Sequence, residues 1–375
     1  MFSCKSLVLF IAAAVLSGAC SRSAEVALLP DTAQTYHQAA GNAVEYFRTK
    51  GQAADGSFSA EASPAITALV TTAILRTGRS PDDPLVAKSL KYLEGLVHPD
   101  GGIYVENSRH QNYETCIALQ CFSAANQDKR YDTLLKNAET FVKNLQWDAG
   151  EQLDSSSANY GGAGYGSSKR PDLSNTSFLM DALKSVGRGP EDEAVQKALV
   201  FISRCQNLES KYNTTAFAGK NPDGGFYYTV SGEGASMAGK TPEGGLRSYG
   251  SMTYAGLKSM IYAGVGPNDP RVKAATRWIA QHYSLDENPG LGNAGLYYYY
   301  ETYAKAMEAT GTDIFVDAAG VKHDWRAELI SALAKRQRPD GSWVNENNRW
   351  LEGDPNLVTG YALLALTHAR PKGSK

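Results

Sequence analysis

The sequence predicts an all-α fold: an (α/α)6 toroid in which six helical hairpins form an inner and an outer ring. Three observations carry that prediction. Twelve segments show helical periodicity with start and stop signals, a short Asp-Gly-aromatic phrase recurs along the chain, and matching residue columns run through every second helix.

The helical segments are 36–50, 64–77, 84–97, 112–126, 132–146, 174–187, 191–205, 248–264, 270–283, 296–310, 323–337 and 356–369. They fall into six pairs with a period of roughly 55 residues, the mark of a repeat architecture. Within a pair the connection is long. It carries AADGSFSA at 53–60, HPDGGIYV at 98–105, NPDGGFYY at 221–228 and RPDGSWVN at 338–345, with degenerate equivalents at 149–166 and 285–295. Asp-Gly makes a turn that needs a positive φ, and the aromatic that follows can pack back on the ring. A phrase used this often is a building instruction, not one active site.

Between pairs the links are short: GRSPDDPLV (78–86), GRGPEDEAV (187–195) and GVGPNDPRV (264–272). Each reads as a glycine stop followed by proline and an acidic helix start, so these acids cap helices and hold no metal. Aligned on those stops, the second helices share a column of Thr67, Thr115, Thr176, Thr253, Tyr300 and Thr359. Six positions on stand Ala73, Cys121, Ala182, Ser259, Ala306 and Ala365. Small residues at one depth let neighbouring helices approach closely, as a closed ring without a sheet requires.

The 375 residues are 42% hydrophobic and 20% charged, with a net charge of −2. That balance describes a folded protein and gives no electrostatic case for nucleic acid or an anionic membrane face. Lys5, the apolar run 7–16 and SGAC at 17–20 read as a signal peptide, with Cys20 as a lipid-modified cysteine and cleavage near Ala19 as the alternative. The expected organisation is a signal at 1–20, a linker at 21–35 and one toroid at 36–370. Export to the periplasm or cell envelope follows, with membrane contact only through the anchor. Cys116, Cys121 and Cys205 read as buried core thiols.

QRPDGSW (337–343) resembles the core of the Gln-Trp repeat of triterpene cyclases, and CQN…NPDGGF (205–226) resembles a stretched copy. Over 36–370 the chain resembles the prenyltransferase and squalene-cyclase repeat superfamily. The resemblance implies a toroid whose lumen, in the enzymes, cyclises polyprenyl chains or prenylates proteins. It does not carry the activity over: the Asp-x-Asp-Asp of squalene-hopene cyclases and the Asp-x-Cys of zinc-dependent prenyltransferases are both absent.

An inner helix meets solvent only at the lumen, so a polar stripe along it marks that surface. Two columns form such a stripe. One holds Ala68, Cys116, Ser177, Tyr254, Glu301 and Gly360; the other, four residues on, holds Thr72, Gln120, Asp181, Lys258, Lys305 and Leu364. Charges there suit either a polar site or a neutralising ion-pair network. The lumen mouth is expected to gather YYYYETY (297–303), Tyr249, Tyr254, Tyr160, Tyr165, Trp343 and Trp350. Candidate ligand-binding residues are therefore Tyr254, Lys258, Lys305, Tyr297, Tyr300, Gln120, Tyr249 and Trp343. Candidate general acids or bases are Asp181, Glu301 and Asp154. Scattered histidines (His110, His282, His323) give no metal-ligand spacing, and no cofactor is expected. Three function classes remain: a binding or scaffold protein for a small molecule, polymer or envelope protein; a lyase or glycosidase using lumen carboxylates; and an isoprenoid-handling enzyme.

Overall fold

The computed structural model describes Met1 and residues 31–166 and 170–373. The signal segment and Cys20 lie outside the described residues. The outer helices are α1 (Thr32–Tyr46), α3 (Pro84–Glu94), α5 (Asp132–Asn144), α7 (Glu193–Arg204), α9 (Pro270–Gln281) and α11 (Trp325–Arg336). The inner helices are α2 (Pro64–Arg76), α4 (Gln111–Ala125), α6 (Leu173–Ser185), α8 (Gly250–Tyr262), α10 (Leu296–Thr310) and α12 (Pro355–His368). Each expected segment forms a helix. Each inner helix packs on the next, and α12 closes the ring on α2. The small-residue column is fully buried in all six inner helices.

The recurring phrases are the joints of this ring. The Oγ atoms of Thr67, Thr115, Thr176, Thr253 and Thr359 accept from the backbone N–H of Phe58, Ile103, Ala163, Phe226 and Trp343, at 2.9–3.1 Å. Each threonine thus fastens the loop that precedes its own helix. The glycines face outward to the next repeat. A Cβ on Gly56, Gly101, Gly161 or Gly341 would lie within 2.7 Å of the carbonyl oxygen of Lys88, Asn137, Lys197 or Asn42. Only glycine permits that approach, and Gly341 makes it onto α1, which closes the outer ring.

Four glutamines repeat a second joint. The Nε2 atoms of Gln52, Gln146, Gln206 and Gln337 each bridge the loop glycine's carbonyl and a carbonyl of the following outer helix, at Leu85, Ala194, Arg271 and Ala39. The last of these also joins the end of the chain to its beginning.

One departure from the expected all-helical chain is a hairpin between α10 and α11. Strand β1 (Ile314–Val316) pairs antiparallel with β2 (Lys322–Asp324). The fifth connection lacks the usual joint: Gly290 lies against Ser248 and Tyr249, not against α11. The hairpin ties to α9 instead, through Ala318 N to Ala280 O at 2.9 Å and Phe315 stacked on Tyr283 at 5.5 Å. Three-residue strands are too short for alternation to be read from sequence.

Candidate functional site

Residues spaced alternately three and four apart line the lumen on most inner helices. The ladders are Tyr113–Ile117–Gln120 on α4, Ser174–Phe178–Asp181 on α6, Tyr298–Glu301–Lys305 on α10 and Leu357–Tyr361–Leu364–His368 on α12. At 3.6 residues per turn, alternating steps keep a row on one face, whereas repeated steps of four drift off it. The lumen divides into two cavities of different character, and Phe178 lines both.

The first is an aromatic cup of about 310 Å3 at the inner-helix N-termini. Its walls include Tyr113, Phe178, Tyr298 and Tyr361 from the helices and Tyr165, Tyr228 and Trp350 from the loops. The rings meet edge-on or tilted: Tyr113 to Phe178 at 5.1 Å, Tyr298 to Tyr361 at 5.8 Å. Trp350 and Leu351 form part of the rim with φ of 57° and 64°, a strained pair for non-glycine residues. Glu352, the next residue, ties this turn to α10. Its carboxylate accepts from Tyr297 N at 3.0 Å, Tyr298 N at 2.8 Å and Asn345 Nδ2 at 2.6 Å, and so caps α10 from a loop fifty residues away along the chain. Burial raises the Glu352 carboxyl above its ordinary value.

Behind the cup lies Asp172, the N-cap of α6. It accepts from Asn175 N at 2.9 Å and Asn175 Nδ2 at 2.8 Å, and also from the Tyr228 hydroxyl. Burial outweighs these bonds and pushes its pKa up to about 6.

The second cavity, about 290 Å3, lies at the inner-helix C-termini. Its floor is charged. Asp181 binds Lys258 Nζ through one oxygen and Lys305 Nζ through the other at 2.8 Å, and Lys305 also meets Glu301 at 2.5 Å. All four side chains are buried, so each charge carries a desolvation cost that its neighbours offset to different degrees. Burial raises the Asp181 carboxyl, but the two ammonium groups outweigh that and hold it below its usual value. Lys258, with its single carboxylate, is lowered by burial. At the edge, His368 Nδ1 lies 2.6 Å from Glu308 and 3.1 Å from Arg76. Burial and the Arg76 charge bring the histidine down to about 4, so its ring is neutral near pH 7.

The expected site residues separate into three groups. Asp181, Glu301, Lys305 and Gln120 line the floor, Lys258 stands behind Asp181, and Tyr249 lines the cup. Tyr254, Tyr297, Tyr300 and Trp343 are buried packing groups outside the linings of both cavities. Tyr254 meets Tyr299 and Tyr303 edge-on, the Tyr300 hydroxyl donates to Leu285 O, and Trp343 Nε1 donates to Leu333 O. Asp154 sits in an exposed turn in the third connection, accepting from Ser156 N at 2.8 Å, and is not brought to the lumen. Tyr298 of the run 297–303, Tyr165 and Trp350, all expected at the mouth, line the cup; sequence reasoning missed Tyr113, Phe178, Tyr228 and Tyr361 there, and Asp172 behind it. Tyr113, Phe178 and Tyr361 stand three or four residues from a floor residue on the same helix, which is the signal that could have found them.

The sequence profile of the squalene-hopene cyclase C-terminal domain matches residues 33–232. No sequence among functionally curated proteins matches significantly. Among solved structures, the type II terpene cyclase MstE from Scytonema, in complex with merosterolic acid A, is similar with a TM-score of 0.55 and 14% identity. That match covers 91% of this chain and 98% of the other. A family 76 glycoside hydrolase from a bovine Bacteroides thetaiotaomicron strain has a TM-score of 0.53 and 12% identity, covering 88% and 77%. A protein from Actinoplanes has a TM-score of 0.51 and 16% identity, covering 90% and 100%. At these identities the structural likeness concerns the fold alone. The profile, which spans more than half of the sequence, decides the family: this chain belongs to the squalene-hopene cyclase C-terminal domain family.

Proposed function

We propose that the protein is an exported, lipid-anchored toroid that binds a compact, largely apolar molecule in its aromatic cup, without the acid motif by which the family's cyclases start their reaction. The observation that carries this reading is the cup itself: about 310 Å3, walled by tyrosines, Phe178 and Trp350, with hydroxyls spaced among the rings. Sites of this size and lining bury most of a small ligand and orient it with a few polar groups. Export and anchoring rest on the signal-like segment and Cys20.

A second reading, an isoprenoid-handling enzyme, draws on Asp172. A carboxyl whose pKa is lifted to about 6 keeps its proton at mildly acidic pH, and the aromatic walls suit a developing cation. The reading as a lyase or glycosidase shares its fold with the family 76 hydrolase, but Asp181 and Glu301 are both bound by Lys305 and so are poorly placed to act as a free pair.

Farnesol and cellobiose serve as opposed probes, titrated against the mature chain with Trp350 fluorescence as the signal. Saturable quenching by farnesol is expected, lost in Trp350→Phe as a signal and in Ser174→Trp as binding. Saturable binding of cellobiose with none of farnesol would contradict the reading.

A further inference from the structure

The floor cavity has charge and space that its own ion pairs do not use up. Asp181 and Glu301 each have an ammonium partner. Around the same space stand Arg76 from α2, Lys184 from α6 and Lys305 from α10, three cations on alternate inner helices. Lys184 has no carboxylate within salt-bridge distance among the described residues; its ammonium lies 5.6 Å from the centre of the Tyr262 ring. Arg76 donates to Thr367 Oγ1 at 3.1 Å, and its Nη2 lies 3.1 Å from His368 Nδ1, the atom that also lies 2.6 Å from Glu308. Four cations (Arg76, Lys184, Lys258, Lys305) thus face three anions (Asp181, Glu301, Glu308), and the region carries one positive charge in excess.

Lys305 Nζ spends two of its three N–H bonds on Asp181 and Glu301, and Lys305 lines the cavity. Gln120 donates to Cys116 O at 3.2 Å through Nε2, which leaves its carbonyl oxygen as an acceptor on the opposite wall. The space between is about 290 Å3.

We infer that this floor is a second binding site, for a small polar molecule carrying an oxyanion, a carboxylate or a phosphate, gripped between Arg76 and Lys184 with Lys305 at its back. A competing explanation is that Arg76 and Lys184 only offset the partial negative charge of helix C-termini. Three inner helices, α4, α8 and α10, end on the same side with no basic residue in their last turn. Dipole compensation therefore does not by itself require cations here. An oxyanion would cancel the surplus charge in a partly dry site, where such bonds are stronger than in water. The site is independent of the cup, on the other side of Phe178.

The test is calorimetric titration of the mature chain with inorganic phosphate and, separately, with succinate, at constant ionic strength set by chloride. Saturable binding of one or both is expected, and which one binds identifies the oxyanion. Lys184→Met, at an exposed position, should weaken it at least tenfold, and Arg76→Met likewise, while Lys136→Met on the outer ring leaves it unchanged. Far-UV circular dichroism and an unaltered farnesol titration show that the variants are folded with an intact cup. Failure of both anions to bind overturns the proposal. So does binding that survives Lys184→Met and Arg76→Met, which would mean an adventitious surface ion only.

Discussion

The two ends of the lumen are built from the same six helices and treat polarity in opposite ways. At the N-terminal end the walls are rings, and the buried acids there, Asp172 and Glu352, are spent on capping α6 and α10. At the C-terminal end the walls carry full charges, most of them paired and with one positive charge in excess, and a neutral histidine stands at the edge. The difference shows that a toroid lumen is not one environment. Helices α6 and α10 pass from an aromatic to a charged setting within two turns, as Phe178 and Asp181 do on α6 and Tyr298, Glu301 and Lys305 on α10.

The largest effect should come from breaking the floor network. Asp181→Asn leaves Lys258 without its carboxylate and Lys305 with Glu301 alone, and removing one partner of a buried ion cluster costs about 3–5 kcal/mol. Urea unfolding monitored by circular dichroism measures it. Lys258→Met, which leaves Asp181 paired with Lys305, should cost clearly less. Equal costs would mean that Lys305 does not hold the Asp181 charge once Lys258 is gone.

Next comes the pH dependence, where the two ends pull in opposite directions. Asp172 binds its proton more tightly in the fold, at about 6 against 3.8, so its contribution to stability falls as pH rises from about 4 to 6. His368 is the reverse: held at about 4 against 6.5, it makes stability fall as pH drops from about 6.5 to 4. Each shift corresponds to something on the order of 3 kcal/mol, and in the native protein they largely offset one another. Asp172→Asn should leave stability rising with pH between 4 and 6.5, and His368→Gln should leave it falling. Asp181, whose carboxyl is depressed, adds a loss only at lower pH, as the solution passes through its folded pKa. Thermal melts at half-unit pH steps separate these slopes, and two variants with slopes of the same sign would refute the assignment.

The smallest effect concerns the rim of the cup. Gly295 has a φ of 66°, and a Cβ there would lie 3.0 Å from the Trp350 ring. Gly295→Ala should cost about 1–2 kcal/mol and shift Trp350 emission, while leaving anion binding at the floor unchanged.

The ring was legible in the sequence because its joints repeat. The Asp-Gly turns, the threonine column and the small-residue column each recur at fixed offsets, and each meets one geometric need in successive repeats. The floor was half legible: Gln120, Asp181, Glu301 and Lys305 stand out as charged or polar residues on otherwise apolar helices. The cup was less so. Tyrosines such as Tyr254, Tyr299, Tyr300 and Tyr303 pack between elements, while Tyr298 in the same run faces the lumen, and composition does not distinguish a packing ring from a lining ring. Only the phase of each helix decides that, and the expected phase followed a step of four where the lumen follows alternating fours and threes. The hairpin after α10 was hidden because it replaces a joint that the fifth repeat lacks, and a missing motif leaves no pattern to read.

The separation of the two lumen ends is tested most directly by filling them one at a time. Ser174→Trp occupies the cup and Thr72→Trp the floor cavity, and each variant is titrated with farnesol and with the oxyanion that binds the native chain. Loss of farnesol binding in Ser174→Trp alone, and of anion binding in Thr72→Trp alone, is the expected result. Loss of both ligands in either variant would show one continuous site and contradict the division.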